Sequence, residues 1–253
     1  MSLAMTREVD GVRNGPEGAD IAFLLIHGFG AAPDEVTSLG EYLAEKGISS
    51  FAVRLAGHAT TPEDFSTTTW HDWYESAIVG LRLVQSWEPT HTFVAGLSMG
   101  GALSLLLASR EEEIDGVVAM SPALYVDSIL ARLVPVLKVF KKYRAVDLSN
   151  MADMYDIMRT KYPKEPLSAY HELLKLMKVV RSHLQTVVIP TLVIQSGADK
   201  TIDPKNGTIA YEGVSSKDKA LHVIEGAEHV ITCHTKRFEA FELVMDFVID
   251  HTR

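Results

Sequence analysis

The chain has 253 residues, 47% of them hydrophobic, and a formal net charge of −9. That much apolar material suits a single domain with a large core, and the acidic balance excludes a surface built to grip nucleic-acid phosphates. No stretch reaches the roughly 20 apolar residues of a membrane span, and the lone Cys233 cannot form an internal disulfide, so a cytoplasmic location is expected.

The first 20 residues are polar and contain glycine, and they are expected to be partly flexible. Beyond them, short apolar runs at 22–27, 49–55, 91–97, 116–121, 191–196 and 220–225 alternate with helical patterns at about 33–46, 70–87, 99–110, 205–212 and 236–250. Such alternation predicts an α/β fold, with a mostly parallel central sheet flanked by helices. The interval 122–189 breaks the rhythm: it contains no clear strand and reads as several short helices, among them 129–140 and 170–180. The expected organisation is therefore an N-terminal segment 1–20, a core of 21–121 and 190–253, and a helical cap inserted at 122–189.

Within the first run, Ile26-His27-Gly28-Phe29-Gly30 forms a glycine-bracketed turn, with His27 read as a structural residue that pins it by hydrogen bonding. Further on, Gly96-Leu97-Ser98-Met99-Gly100 follows the apolar residues 91–95 and opens the helical stretch 101–107. This is G-x-S-x-G between a strand and a helix, which makes Ser98 the candidate nucleophile. A serine hydroxyl needs an imidazole to take its proton and a carboxylate to orient that imidazole. Asp199 directly follows the buried run 191–197, and His229 follows the strand 220–224, so both fall at the carboxyl edge of the sheet, where open α/β sheets bind ligands. Asp203, beside Pro204, reads as a turn or helix-cap residue. His234 reads as a solvated residue at a helix entry, and His222, between Leu221 and Val223, as a structural histidine. Backbone N–H groups of Met99 and Phe29 are the candidates to receive the charge that forms on an attacked carbonyl oxygen.

The set His27-Gly28, Gly96-Leu97-Ser98-Met99-Gly100, Asp199 and His229 resembles the α/β-hydrolase superfamily over nearly the whole chain. The block from Arg54 to Asp64, with Gly57-His58 and Pro62-Glu63, and the following Thr69-Trp70-His71-Asp72-Trp73 are similar to bacterial carboxylesterases and monoacylglycerol lipases. Those proteins carry a G-H-G-x-x-P-E-like loop and then a W-x-D-W helix start. The resemblance implies the α/β-hydrolase fold with a helical cap inserted after the sixth strand. It implies a catalytic triad of Ser98, Asp199 and His229, with Phe29 and Met99 as oxyanion hole. The implied reaction is hydrolysis of carboxylic esters through an acyl-enzyme, on short- to medium-chain esters or monoacylglycerols, with no cofactor and no metal. Thioester, lactone, amide or carbon–carbon bond cleavage uses the same triad, and a ligand-binding receptor with slow turnover is the alternative from another class. Epoxide and haloalkane hydrolysis by the family's usual route needs an aspartate where Ser98 stands. Ala59 occupies a position where glycine is common, so that loop is expected to follow a different backbone path.

In the cap, Leu130, Leu133, Val134, Leu137 and Phe140 recur at helical spacing, as do Leu173, Leu174, Met177 and Val180. These stripes either pack the cap onto the core or line an apolar acyl channel. Lys138, Lys141, Lys142, Arg144, Arg159, Lys161 and Lys164 make the cap locally basic. They form either a solvated face or one suited to transient contact with a lipid surface. The expected partner is a small ester or lipid-like substrate, and both a monomer and a homodimer stay open.

Overall fold

The computed structural model describes residues 10–148 and 154–252, apart from the side chains of residues 129–132. Its strands are β1 (Gly11–Asn14), β2 (Ile21–Ile26), β3 (Ser49–Val53), β4 (His91–Leu97), β5 (Gly116–Met120), β6 (Tyr143–Ala145), β7 (Lys164–Pro166), β8 (Thr191–Ser196) and β9 (Lys219–Ile224). Seven of them form one sheet in the order β1-β3-β2-β4-β5-β8-β9. Only β1 runs antiparallel to its neighbour; every other pairing in this sheet is parallel. The helices are α1 (Asp34–Glu45), α2 (Pro62–Phe65), α3 (Trp70–Gln85), α4 (Met99–Ala108), α5 (Ile129–Phe140), α6 (Leu167–His183), α7 (Lys205–Gly213) and α8 (Arg237–His251).

Successive residues of a strand face opposite sides, and the runs in β2, β4, β5 and β8 are apolar on both. Leu24 and Ile26 of β2 join Trp73 and Leu81 of α3, Leu103 of α4 and Leu176 of α6 in one core. Phe23 and Leu25 point the other way, into a core with Val36 and Leu39 of α1 and Phe241 and Val244 of α8. This two-sided cover is why the central strands read as continuous hydrophobic runs and not as alternation. The W-x-D-W segment begins α3: the Thr69 N–H donates to Asp72 Oδ2 at 2.8 Å, which satisfies an otherwise free group at the helix start.

Within the segment 1–20, β1 pairs Gly11–Asn14 with the edge of β3, and the Arg54 guanidinium holds Asp10 at 2.7 Å; residues 1–9 lie outside the described residues. Three expectations are corrected. The 122–189 interval does contain strand, since β6 and β7 form an antiparallel pair. Three residues apiece, one of them the charged Lys164-Glu165-Pro166, are too short to show a period of two. That interval follows the fifth strand in chain order, not the sixth, because a single strand precedes β2 among the described residues. Finally, the run at 220–225 is an edge strand whose His222 and Val223 are exposed, so His222 is a surface residue and not a buried structural one. Among the described residues, no helix is long and apolar enough to cross a membrane.

Candidate active site

The chain leaves β4 at Leu97 and turns at Ser98, which has φ 57° and ψ −115°. An L-residue held there costs on the order of 1–3 kcal/mol, so the surroundings must impose it. They do so through the two glycines. A Cβ on Gly96 would lie 2.2 Å from the Gly100 carbonyl oxygen, and one on Gly100 would lie 2.0 Å from that of Ile26. Only bare backbone lets β4, the turn and β2 approach so closely. The elbow is then fastened to β5: the Ser98 N–H donates to the Met120 carbonyl at 2.8 Å, and the Ser98 carbonyl accepts the Ala123 N–H at 3.0 Å.

Ser98 Oγ lies 2.9 Å from His229 Nε2, and His229 Nδ1 lies 2.5 Å from Asp199 Oδ2. A carboxylate can only accept, so Nδ1 carries the proton and Nε2 is left to accept from the serine hydroxyl. Asp199 is fixed in turn by the Thr201 and Ile202 N–H groups, which donate to its Oδ1 at 2.8 and 3.0 Å. The three side chains come from the loops after β4, β8 and β9, at one edge of the sheet. Asp203 is apart from them, accepting the Lys205 N–H at 2.9 Å at the start of α7. His234 also stays outside this chain of contacts; it is buried, not solvated, and accepts the Lys236 N–H at 3.1 Å where α8 begins. Burial pushes the thiol of Cys233 up to about 12, so it offers no thiolate to compete with Ser98 at neutral pH.

Gly28 abuts Ser98: a Cβ added to it would stand 3.5 Å from Ser98 Cβ. His27 is fully buried, donates from Nδ1 to the Gly28 carbonyl at 2.9 Å and accepts the Leu55 N–H at Nε2, 3.3 Å away. Since a trans peptide points its C=O and N–H in opposite directions, anchoring that oxygen turns the Phe29 N–H the other way. Met99 opens α4, where unsatisfied N–H groups and the helix dipole favour negative charge. The Phe29 ring packs on Phe65, Trp73 and His58, with ring centroids 4.9, 5.9 and 6.5 Å away. Burial, with His27 close by, holds the His58 pKa well below the ordinary imidazole value. Ala59 has φ 54°, in the left-handed region that favours glycine.

A cavity of about 670 Å³ opens at Ser98 and His229, and its lining combines apolar side chains such as Leu173 and Met177 with Arg144, Arg159, Lys161 and Glu165. Of the two apolar stripes, that of α6 is buried at Leu173, Met177 and Val180, while α5 buries Val134 and exposes Leu133 and Phe140; the Leu130 side chain lies outside the described residues. Four of the basic residues pair with carboxylates, while Lys141 and Lys142 are exposed. Arg144 and Lys161 hold the buried Glu165 at 2.8 Å each, Arg159 pairs with the buried Glu35 at 2.6 Å, and Lys164 reaches Glu63 at 2.9 Å. Burial works to raise the Glu165 pKa, but Lys161 and Arg144 outweigh it and keep the carboxyl below its usual value. The sequence carried no signal for Glu35, because Asp34-Glu35 looks like the ordinary acidic first turn of a helix.

The sequence profile described as serine aminopeptidase, S33, matches residues 18–235. The chain is 32% identical over 240 residues to the thermostable monoacylglycerol lipase of Bacillus sp. strain H-257, covering 94% of this chain and 92% of that one. It is 29% identical to a carboxylesterase of Bacillus subtilis, over 92% of this chain and 94% of that one. A solved structure from work on LipS and LipT, two metagenome-derived lipolytic enzymes, superimposes with a TM-score of 0.88 at 28% identity, covering 96% of this chain and 98% of that one. With its mostly parallel sheet and a serine elbow after β4, the chain belongs to the serine aminopeptidase S33 family of α/β-hydrolases.

Proposed function

We propose that the protein hydrolyses carboxylic esters, short- to medium-chain esters or monoacylglycerols, through an acyl-enzyme on Ser98. The observation that carries this reading is the unbroken chain of hydrogen bonds from Asp199 through His229 to Ser98. Ser98 Oγ bonds to the ester carbonyl carbon as its proton passes to His229 Nε2. The carbonyl electron pair moves onto oxygen, which the Phe29 and Met99 N–H groups receive. Collapse of that intermediate expels the alcohol, protonated by His229, and leaves the acyl group on Ser98. Water then attacks the acyl carbon with His229 again as base, the bond to Ser98 Oγ breaks as His229 returns the proton to it and the carboxylic acid leaves, and Asp199 keeps the imidazole in the required tautomer and stabilises its charged form. A cavity of about 670 Å³ that mixes apolar and charged lining supports a substrate with an aliphatic acyl chain and a polar alcohol. The lipase and esterase relatives support the same chemistry. The region 122–189, read as a cap, supplies much of that lining.

The test is turnover of p-nitrophenyl esters from acetate to palmitate and of a 1-monoacylglycerol, with Ser98→Ala alongside and fluorophosphonate labelling of the wild type. The expected result is ester hydrolysis that Ser98→Ala lowers by on the order of 10⁴- to 10⁶-fold with the fold retained. Labelling of Ser98 without turnover of any ester would overturn the substrate class and bring thioester, lactone or amide cleavage forward.

A further inference from the structure

Four consecutive residues, Arg159 to Tyr162, grip the turn beside Ser98 and the start of α1. Arg159 donates to Glu35 Oε1 at 2.6 Å, and Oε2 of the same carboxylate accepts the Gly28 N–H at 2.7 Å. Thr160 gives its N–H and its hydroxyl to Asp34 Oδ2, at 2.8 and 2.7 Å. Lys161 donates to the Phe29 carbonyl and pairs with Glu165 at 2.8 Å. The Tyr162 N–H donates to the Gly30 carbonyl at 3.2 Å. With His27 on the Gly28 carbonyl, each carbonyl from Gly28 to Gly30 has a donor, those of Phe29 and Gly30 from outside the turn, and the Gly28 N–H is held by Glu35.

The Glu35 carboxylate is 3% exposed and the Arg159 side chain 9% exposed. A buried ion pair contributes little net stability compared with apolar packing, yet removing one partner strands a costly charge. Without Arg159, Glu35 must recover water or a proton, and either event changes its hold on the Gly28 N–H, one peptide away from the Phe29 N–H. Displacements of about 1 Å in such a donor are enough to lose large factors in rate.

We propose that Arg159 is a positioning residue: through Glu35 it holds the turn at Gly28 and Phe29 in its donating geometry, so that seating of the 159–162 segment and completion of the oxyanion hole are one event. The proposal rests on the ester-hydrolase reading above and deepens it.

The experiment compares Arg159→Met, Arg159→Lys, Glu35→Gln and the double variant Glu35→Gln/Arg159→Met on p-nitrophenyl butyrate. It records kcat, KM, melting temperature and the affinity of a trifluoromethyl ketone, whose adduct with Ser98 puts an oxyanion against the turn. Arg159→Met is expected to lower kcat about 10- to 100-fold, below the usual loss for deleting a donor outright, with KM within about threefold. The ketone affinity falls by the same factor as kcat, Arg159→Lys restores part of both, and Glu35→Gln adds no further loss to Arg159→Met, as expected for residues acting as one unit. A kcat within twofold of wild type, or a ketone affinity that stays constant while kcat falls, overturns the proposal. If Arg159→Met does not fold, Arg159→Lys and Glu35→Gln carry the same comparison. Wild type without Ser98-dependent ester hydrolysis overturns both readings, whereas an active wild type indifferent to these substitutions overturns this one alone.

Discussion

The loops that carry Ser98 and Asp199 leave strands buried along nearly their whole length, and His229 follows the half-exposed edge strand β9, while the described parts of the 122–189 interval are helices and a short ribbon that pack on α2, α3 and α4. In the first region, geometry is imposed locally: glycines at 96 and 100 let backbone meet backbone, and Ser98 is forced to a positive φ between them. In the second, it is imposed at a distance: Arg159 reaches Glu35 across 124 residues of sequence, and Lys161 reaches Phe29 across 132. Close packing tolerates almost no substitution, whereas charged side chains can be drawn away and returned. The contrast extends to the surface, where α5 exposes Leu133, Val136, Val139 and Phe140, the last of them 84% exposed.

This comparison can be broken or sharpened by measurement. The largest effect is expected from Asp199→Asn. An amide facing His229 Nδ1 favours the wrong tautomer, so kcat for ester hydrolysis should fall about 10⁴-fold with little change in melting temperature. A loss below tenfold would remove Asp199 from its role. Next comes Gly100→Ala, whose methyl would sit 2.0 Å from the Ile26 carbonyl oxygen. Chemical denaturation should show a loss of several kcal/mol, at the upper end for single substitutions; a near-neutral result would mean that the elbow is softer than its packing implies.

A smaller effect is expected from acid. Burial lowers the pKa of His27 and His58 in the fold below the ordinary value near 6.5. The unfolded chain therefore binds more protons, and the stability these neutral rings contribute is complete above about pH 6.5 and is lost progressively as pH falls toward the folded-state values. Melting temperature measured from pH 8 to pH 5 should decline, and His58→Asn should flatten the decline; an unchanged slope would exclude His58 as a source. The smallest effect is expected at Phe140→Ser on α5, where stability should stay within about 0.5 kcal/mol and kcat on a soluble ester should be unaltered. A clear loss of stability would show that α5 packs more tightly than its exposure implies.

The alternating strands and helices, the turn at Ser98 and the placement of Asp199 and His229 in loops at the same sheet edge were legible in the sequence, because each rests on short-range chemistry. Apolar runs with a helical or strand period announce buried elements, and a turn too tight for side chains must be written in glycine next to the serine. The antiparallel β1 was missed since Gly11-Val12-Arg13-Asn14, with one apolar side chain in four residues, carries no apolar run, and β6 and β7 since three residues show no period. His234 was misread as solvated because burial of a lone polar residue depends on what folds over it. The grip of Arg159, Lys161 and Tyr162 on the 28–35 region was likewise beyond the sequence. A charge in a basic stretch looks the same whether it faces water or a buried carboxylate, and only the folded chain decides which partner lies within 3 Å.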